Sequence, residues 1–195
     1  MKRIAEINRK TKETDIFLKL NLDGSGKHEI STQIPFFDHM LSLFAVHGFF
    51  DLNIAAKGDV EVDFHHTVED IGLVLGEAVD NALTERKGIK RYGHTVLPMD
   101  DALSSVTVDM SKRPFLAYNV SCSPWQQGDF DILLAKEFFR AFANKGGMNL
   151  HINLLYGENM HHILESIFKA TGLALDHAVS FDKRVSGIHS SKGVL

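Results

Sequence analysis

One potential metal-ligand pattern occurs twice: His65-His66-Thr67-Val68-Glu69 and His161-His162-Ile163-Leu164-Glu165, each opening a long amphipathic stretch. On a helix, residues four apart share a face, so His65 stands beside Glu69 and His161 beside Glu165. His66 and His162 point about a quarter turn away, which lets each motif serve two ions. Imidazole nitrogen with carboxylate oxygen, and no thiolate, suits Mn, Fe, Co, Ni or Zn better than Cu(I) or an iron–sulfur cluster. A single His-His pair is usually a surface or core feature; two copies with Glu at the same spacing favour metal binding.

The repetition extends beyond the motif. An offset of 96 residues also pairs Gly76 with Gly172, Ala78 with Ala174, Asp80 with Asp176 and Ala82 with Ala178. Upstream the offset becomes 98, matching Phe44 with Phe142, Ala45 with Ala143, Gly48 with Gly146, Leu52 with Leu150 and Ile54 with Ile152. The same shift sets His39 against Glu137, two groups able to bind a metal. Taken alone His39 reads as a helix-start residue after Asp38; its pairing with Glu137 across the duplication gives a ligand role equal weight. The pattern indicates a duplicated half-domain, residues 1–88 and 89–195, forming one compact unit.

With 195 residues and 44% hydrophobic content, the chain can bury a substantial core. A net charge of −4 gives no general attraction to nucleic acid or anionic membrane. The single Cys122 cannot form an internal disulfide, and Met1-Lys2-Arg3 leads into no apolar signal core, so a cytoplasmic location is expected.

The elements that must position these residues read as follows. Ile16, Leu18, Leu20 and Leu22 alternate as a half-buried strand ending at Asp23-Gly24-Ser25-Gly26. Weaker strands lie near 2–9 and 28–33, a helix over Phe37–His47, and a strand at Leu52–Ile54. A helix from about Thr67 carries the stripe Val68, Ile71, Val74, Leu75, Ala78, Val79 and Ala82, and is expected to end near Arg86-Lys87-Gly88. The order repeats with strands near 91–98, 103–110 and 114–121, a helix over about Asp131–Asn144, a strand at Leu150–Leu154 and a helix over about Met160–Val179. The expected class is α+β: two βββαβα halves packed as sheet–helices–sheet. Phe36-Phe37, Phe49-Phe50 and Phe138-Phe139 read as core or subunit contacts, Asp70 as a helix-dipole charge, and His47, His94 and His177 as structural.

Over essentially its whole length the sequence resembles imidazoleglycerol-phosphate dehydratase. The resemblance rests on Arg9-x-Thr11-x-Glu13-Thr14, Phe37-Asp38-His39-Met40-Leu41, His65-His66-Thr67-Val68-Glu69-Asp70, Arg91-Tyr92-Gly93, Leu97-Pro98-Met99-Asp100, Arg113-Pro114, His161-His162-x-x-Glu165, Phe168-Lys169-Ala170 and Ser190-Ser191-Lys192-Gly193-Val194-Leu195. It implies a lyase converting imidazole glycerol phosphate to imidazole acetol phosphate, with two Mn2+ ions per site held by His39, His65, His66, Glu69, Glu137, His161, His162 and Glu165. It also implies a homo-oligomer of 24 subunits whose sites pair the first motif of one chain with the second motif of another. Glu13 is the leading acid–base candidate and Asp100 the second. Arg91, Arg113, Lys169, Ser190, Ser191 and Lys192 form the implied phosphate set, arginine by bidentate bonding, lysine as a compact charge and serine as a directional donor.

The implied reaction explains a need for metal. The proton to be removed lies on a carbinol carbon with no neighbouring carbonyl, and hydroxide leaves poorly. Cations on the ring nitrogens would acidify the imidazole N–H, letting the ring expel the hydroxyl as a diazafulvene before a carboxylate takes the carbon-bound proton. Four residues depart from the common pattern: Glu137 for His, Phe64 for an acidic residue, Asp101 for Glu and His189 for Pro. Two other classes fit the motifs. A metal-stapled assembly protein would have no use for Glu13 or the phosphate set, and a dinuclear metallohydrolase would have no need of an imidazole ring.

Overall fold

The structure is a computed structural model that describes residues 2–121, 126–127, 130–131 and 133–195. Cys122 and Met1 lie outside the described residues. In chain order the elements are β1 (Ile4–Lys10), β2 (Thr14–Asn21), β3 (His28–Ser31), α1 (Pro35–His47), β4 (Asp51–Gly58), α2 (His65–Leu83), β5 (Tyr92–Met99), β6 (Ala102–Asp109), β7 (Phe115–Asn119), β8 (Gln126–Gln127), β9 (Phe130–Asp131), α3 (Leu133–Gly146), β10 (Asn149–Tyr156) and α4 (Met160–Val179).

Alternation decides the sheets. In β2, Ile16, Leu18 and Leu20 point inward and are almost wholly buried, whereas Asp15 and Lys19 face water. The first sheet has the order β1-β2-β4-β3 and the second β5-β6-β10-β7. In each, two antiparallel pairings are followed by one parallel pairing, β3 with β4 and β7 with β10. A parallel pair needs a crossover, and α1 and α3 supply it. The expected duplication is thus an architectural one: an α+β fold of two matching half-domains.

The four helices fill the space between the sheets and pair across the duplication. α2 lies on β1 and β2 and against α3, while α4 lies on β5 and β6 and against α1. Matched glycines permit these crossings. A Cβ on Gly76 would sit 2.6 Å from the Phe142 carbonyl oxygen and 2.7 Å from the Gly146 nitrogen. On Gly172 it would meet the Phe44 oxygen closer still, and the Gly48 nitrogen at 3.0 Å. Phe44 and Gly48 are the repeat mates of Phe142 and Gly146, so the two helix pairs use one contact twice. Phe37, Phe138, Phe139 and Phe168 interleave at the centre, with ring centroids 4.9–5.5 Å apart along Phe37–Phe138, Phe138–Phe139, Phe138–Phe168 and Phe139–Phe168. Phe49, by contrast, is exposed.

Several boundaries differ from the sequence reading: α1 begins at Pro35, β4 runs on to Gly58, β10 to Tyr156 and α3 to Gly146, and the ends of α2 and the start of α3 shift for identifiable reasons. α2 begins at His65 and stops at Leu83, short of Arg86, because Thr84 and Arg86 adopt left-handed φ values of 52° and 55°. Arg86 turns back, pairs with Asp80 at 2.6 Å and donates to the carbonyls of Gly146 and Gly147 at the end of α3. α3 begins at Leu133 because Asp131 belongs to the short β8–β9 hairpin, which the sequence reading lacks. No helix among the described residues is long and apolar enough to cross a membrane.

Candidate metal centre and active site

Each His-His motif occupies the first turn of its helix. In α4, the Asn159 side chain caps the start by accepting from the backbone N–H of His161 and His162. In α2, Asp63 accepts from the His65 N–H at 2.7 Å. The helical spacing then does what it must: His161 Nε2 lies 3.0 Å from Glu165 Oε1, and His65 Nε2 lies 3.4 Å from Glu69 Oε2.

The partner helix completes each nest. α1 brings His39 Nε2 to 2.9 Å from Glu165 Oε1, so His39, His161 and Glu165 offer two imidazole nitrogens and a carboxylate oxygen within 4.8 Å of one another. Phe36 packs edge-on against the His161 ring, 5.4 Å between centroids. Lys169 donates to Glu165 Oε2 at 2.7 Å and to Met99 Sδ at 3.2 Å. Burial opposes ionisation of Glu165, but Lys169, His39 and His161 outweigh it and hold the carboxyl down at about 2. Across the duplication α3 supplies Glu137. There the Arg140 guanidinium bridges Glu137 and Glu69, the latter at 3.2 Å, so a cationic group stands between two carboxylates.

The second histidine of each motif meets a carboxylate through Nδ1. His66 Nδ1 lies 3.0 and 3.2 Å from the Asp59 oxygens, and this bond, with help from the Glu13 charge, raises its pKa. His162 Nδ1 lies 2.6 Å from Asp101 Oδ1. Backbone N–H donors of Asn159 and Glu158, with His162, hold the Asp101 carboxyl well below the usual carboxylate range. A carboxylate on Nδ1 fixes the tautomer that leaves an electron pair on Nε2, the arrangement in which histidine binds metal. Asp101, though shorter than Glu, therefore reaches its histidine. Asp59, from beyond β4, supplies a carboxylate to His66 although Phe64 stands where the common pattern has an acidic residue; no signal in the sequence marked it, because Asp59 and Asp101 are not repeat mates.

Glu13 stands on the β1–β2 turn, where its carbonyl accepts from the Asp59 N–H at 3.1 Å. The turn is anchored by buried Asp70, which accepts from both Arg9 and Thr14. Arg9, Thr11, Glu13 and Thr14 thus form one device: Thr11 Oγ1 accepts from the backbone N–H of Glu13 and Thr14 at 3.1 and 2.9 Å. Asp70, read from sequence as a dipole charge, is its anchor. On the corresponding turn of the second half, Asp100 adopts a φ of 45° and lies 3.5 Å from His162 Nε2.

The cationic set is spread over several elements. Arg91 is buried, forks onto Asp109 at 2.7 and 3.1 Å, which raises its pKa, and donates to the His189 carbonyl at 2.9 Å. Arg113 is exposed after β6, with Nη1 3.3 Å from the Ser111 carbonyl. Ser190, Ser191 and Lys192 form a turn just past His189. Among the described residues, no hydrogen bond or ion pair joins the first motif to the second.

A family model for imidazoleglycerol-phosphate dehydratase matches residues 32–175. Relatives bearing that name from Trichlorobacter lovleyi and Pelobacter propionicus are 59% and 58% identical to this chain, covering 100% of both sequences in each case. The crystal structure of the Staphylococcus aureus enzyme superposes with a TM-score of 0.83 at 38% identity, covering 92% of this chain and 99% of that one. A Pyrococcus furiosus structure, in complex with (S)-C348, gives 0.84 at 39% identity, covering 97% and 100%. The chain belongs to the imidazoleglycerol-phosphate dehydratase family.

Proposed function

We propose that this chain dehydrates imidazole glycerol phosphate to imidazole acetol phosphate in histidine biosynthesis, using two Mn2+ ions per site, at sites shared between subunits of a 24-subunit cytoplasmic assembly. The observation that carries the reading is the pair of repeat-related His/Glu nests with the Glu13 turn pinned beside one of them. Their donor set fits a borderline divalent ion: imidazole nitrogens, carboxylates and outer histidines whose Nδ1 atoms are already engaged. Arg140, bridging Glu69 and Glu137, marks where the second nest accommodates positive charge.

His39, His161, Glu165 and His162 would form one half-set of ligands, and His65, Glu69, Glu137 and His66 the other. Bound there, divalent ions supply positive charge that makes a substrate imidazole N–H more acidic and favours the ring anion. Each half-set offers few donors, which supports completion by a second copy of the chain. Glu13, exposed at the tip of an anchored turn, is the base for the proton on the carbinol carbon. Asp100 is the second acid–base candidate, by its approach to His162. Arg91, Arg113, Lys169, Ser190, Ser191 and Lys192 would hold the phosphate.

Glu13→Gln tests this directly. Glu13→Gln should give a metal-loaded assembly like that of the parent chain, with turnover of imidazole glycerol phosphate reduced at least about 100-fold, the lower end of the range for removing a general base. Full turnover by Glu13→Gln would remove Glu13 from the mechanism.

A further inference from the structure

The chain beyond α4 returns along the segment that precedes β5. Lys90 N donates to the Ser180 carbonyl at 2.9 Å, Asp182 N to Gly88 at 2.9 Å and Gly88 N to Gly187 at 2.8 Å. From Gly187 onward the tether narrows. Gly187 and Gly193 have φ values of 83° and 73°, a region glycine enters without strain, and a Cβ on either would meet nothing within 4 Å. These two are backbone pivots rather than close contacts. Between them His189 is clamped twice: its Nδ1–H donates to the Lys90 carbonyl at 3.0 Å, and its own carbonyl accepts from Arg91 Nη1 at 2.9 Å. Its ring stands edge-on to Tyr92, 6.2 Å between centroids, and the Arg91 guanidinium lies over the other partner of that pair, 4.8 Å from the Tyr92 centroid. After His189 the hydrogen bonds of the described residues are local to the tail: Ser190 N to Ile188, Gly193 N to Ser190, and Lys192 N to Ser190 Oγ.

We propose that His189 is a positioning residue, a latch whose side-chain bond to Lys90 holds Ser190, Ser191 and Lys192 beside Arg91 in an anion-binding arrangement. The inference rests on the phosphate role proposed for those residues. Its physical basis is entropy: two serine hydroxyls and a lysine on a tail held by local hydrogen bonds must be ordered each time an anion binds, and a tether made beforehand lowers that cost. Arg91 is itself immobilised by its fork onto Asp109, so the carbonyl clamp and the ring clamp act from one rigid edge. His189 touches neither anion nor reacting atoms. Its loss is therefore expected to weaken binding of the phosphorylated group and leave the chemical step alone.

The test uses the full metal-loaded chain and compares His189→Ala, His189→Asn and, as a gauge of the phosphate role, Lys192→Ala. An Asn amide N–H stands the same number of bonds from the backbone as Nδ1–H, so His189→Asn can restore the bond to Lys90. The readouts are kcat and KM for imidazole glycerol phosphate, inhibition by inorganic phosphate, and amide exchange of the tail. His189→Ala should raise KM and weaken phosphate inhibition about fivefold, the worth of one net hydrogen bond, with kcat within about twofold and faster tail exchange. His189→Asn should recover most of both. If Lys192→Ala raises KM while His189→Ala does not, the latch is refuted and the phosphate role stands. If neither changes KM or phosphate inhibition, the phosphate role fails and the latch with it. A loss confined to kcat, or no recovery with Asn, also overturns the proposal.

Discussion

Replacing Asp70 with Asn keeps the shape of the side chain and removes its charge, and so asks whether a buried carboxylate fixes the Glu13 turn. Asp70 is 12% exposed and its partner Arg9 31% exposed, and Thr14 donates to the same carboxylate. Both donors meet the same carboxylate oxygen, Oδ2, so the Asn carbonyl oxygen can accept from both but loses the ionic component of each. A charge-assisted hydrogen bond contributes about 1.5–3 kcal/mol; the weaker bonds that remain, and the partial hydration of Arg9, reduce the expected loss of stability to about 2 kcal/mol. The functional effect should be larger in proportion, because a base displaced by about 1 Å loses on the order of 100-fold in rate. The assay is turnover of imidazole glycerol phosphate by Asp70→Asn, with bound metal measured in the same preparation, in parent and Glu13→Gln backgrounds. If Asp70 acts through Glu13, Asp70→Asn lowers kcat about 10- to 100-fold in the parent and less than about twofold beside Glu13→Gln. Equal effects in both backgrounds, or unchanged turnover, would refute the anchor.

Two further outcomes follow from packing and charge. Gly76→Ala places a methyl 2.6 Å from the Phe142 carbonyl oxygen, so the α2–α3 crossing must open. Overpacking of about 1–3 kcal/mol set against a helix-propensity gain of up to about 1 leaves a net loss of about 1–2 kcal/mol, read by urea denaturation of metal-free protein; an unchanged or raised midpoint contradicts it. Glu165 is held at about 2 in the folded chain against an ordinary 4.5. Between those values the unfolded chain binds the proton and the folded chain does not, so this contribution is complete above about pH 4.5 and is lost as pH falls toward 2. Metal-free Glu165→Gln should therefore lose stability with acid less steeply than the parent, by on the order of 2 kcal/mol over that window; parallel profiles would contradict it.

Much of this architecture was legible because local pattern and global packing agree. The period-two run of Ile16, Leu18 and Leu20 makes β2, and the i,i+4 spacing puts His161 on Glu165. The 96- and 98-residue offsets match Gly76 with Gly172 and Phe44 with Phe142, and the fold turns these matches into one contact used twice. What stayed hidden depends on distant partners. α2 ends early because Arg86 is drawn to the carbonyls of α3, which no helix-end signal encodes. Asp59 reaches His66 only after β4 is placed beside α2, and Asp70 is an anchor only because β1 and β2 bring Arg9 and Thr14 to it. The β8–β9 hairpin is too short for a periodic signal. Arg91 looks in sequence like a free cation, and only the fold shows it forked onto Asp109 and tied to the tail.

The central claim is that metal held by the His/Glu nests drives both chemistry and assembly. The most direct measurement is turnover of imidazole glycerol phosphate by chelator-stripped protein with and without added Mn2+, with oligomer size followed in the same samples. The account predicts imidazole acetol phosphate only when metal is present, appearing together with growth of the assembly. Turnover by the stripped protein at the metal-loaded rate, or metal-driven assembly without product, would contradict it.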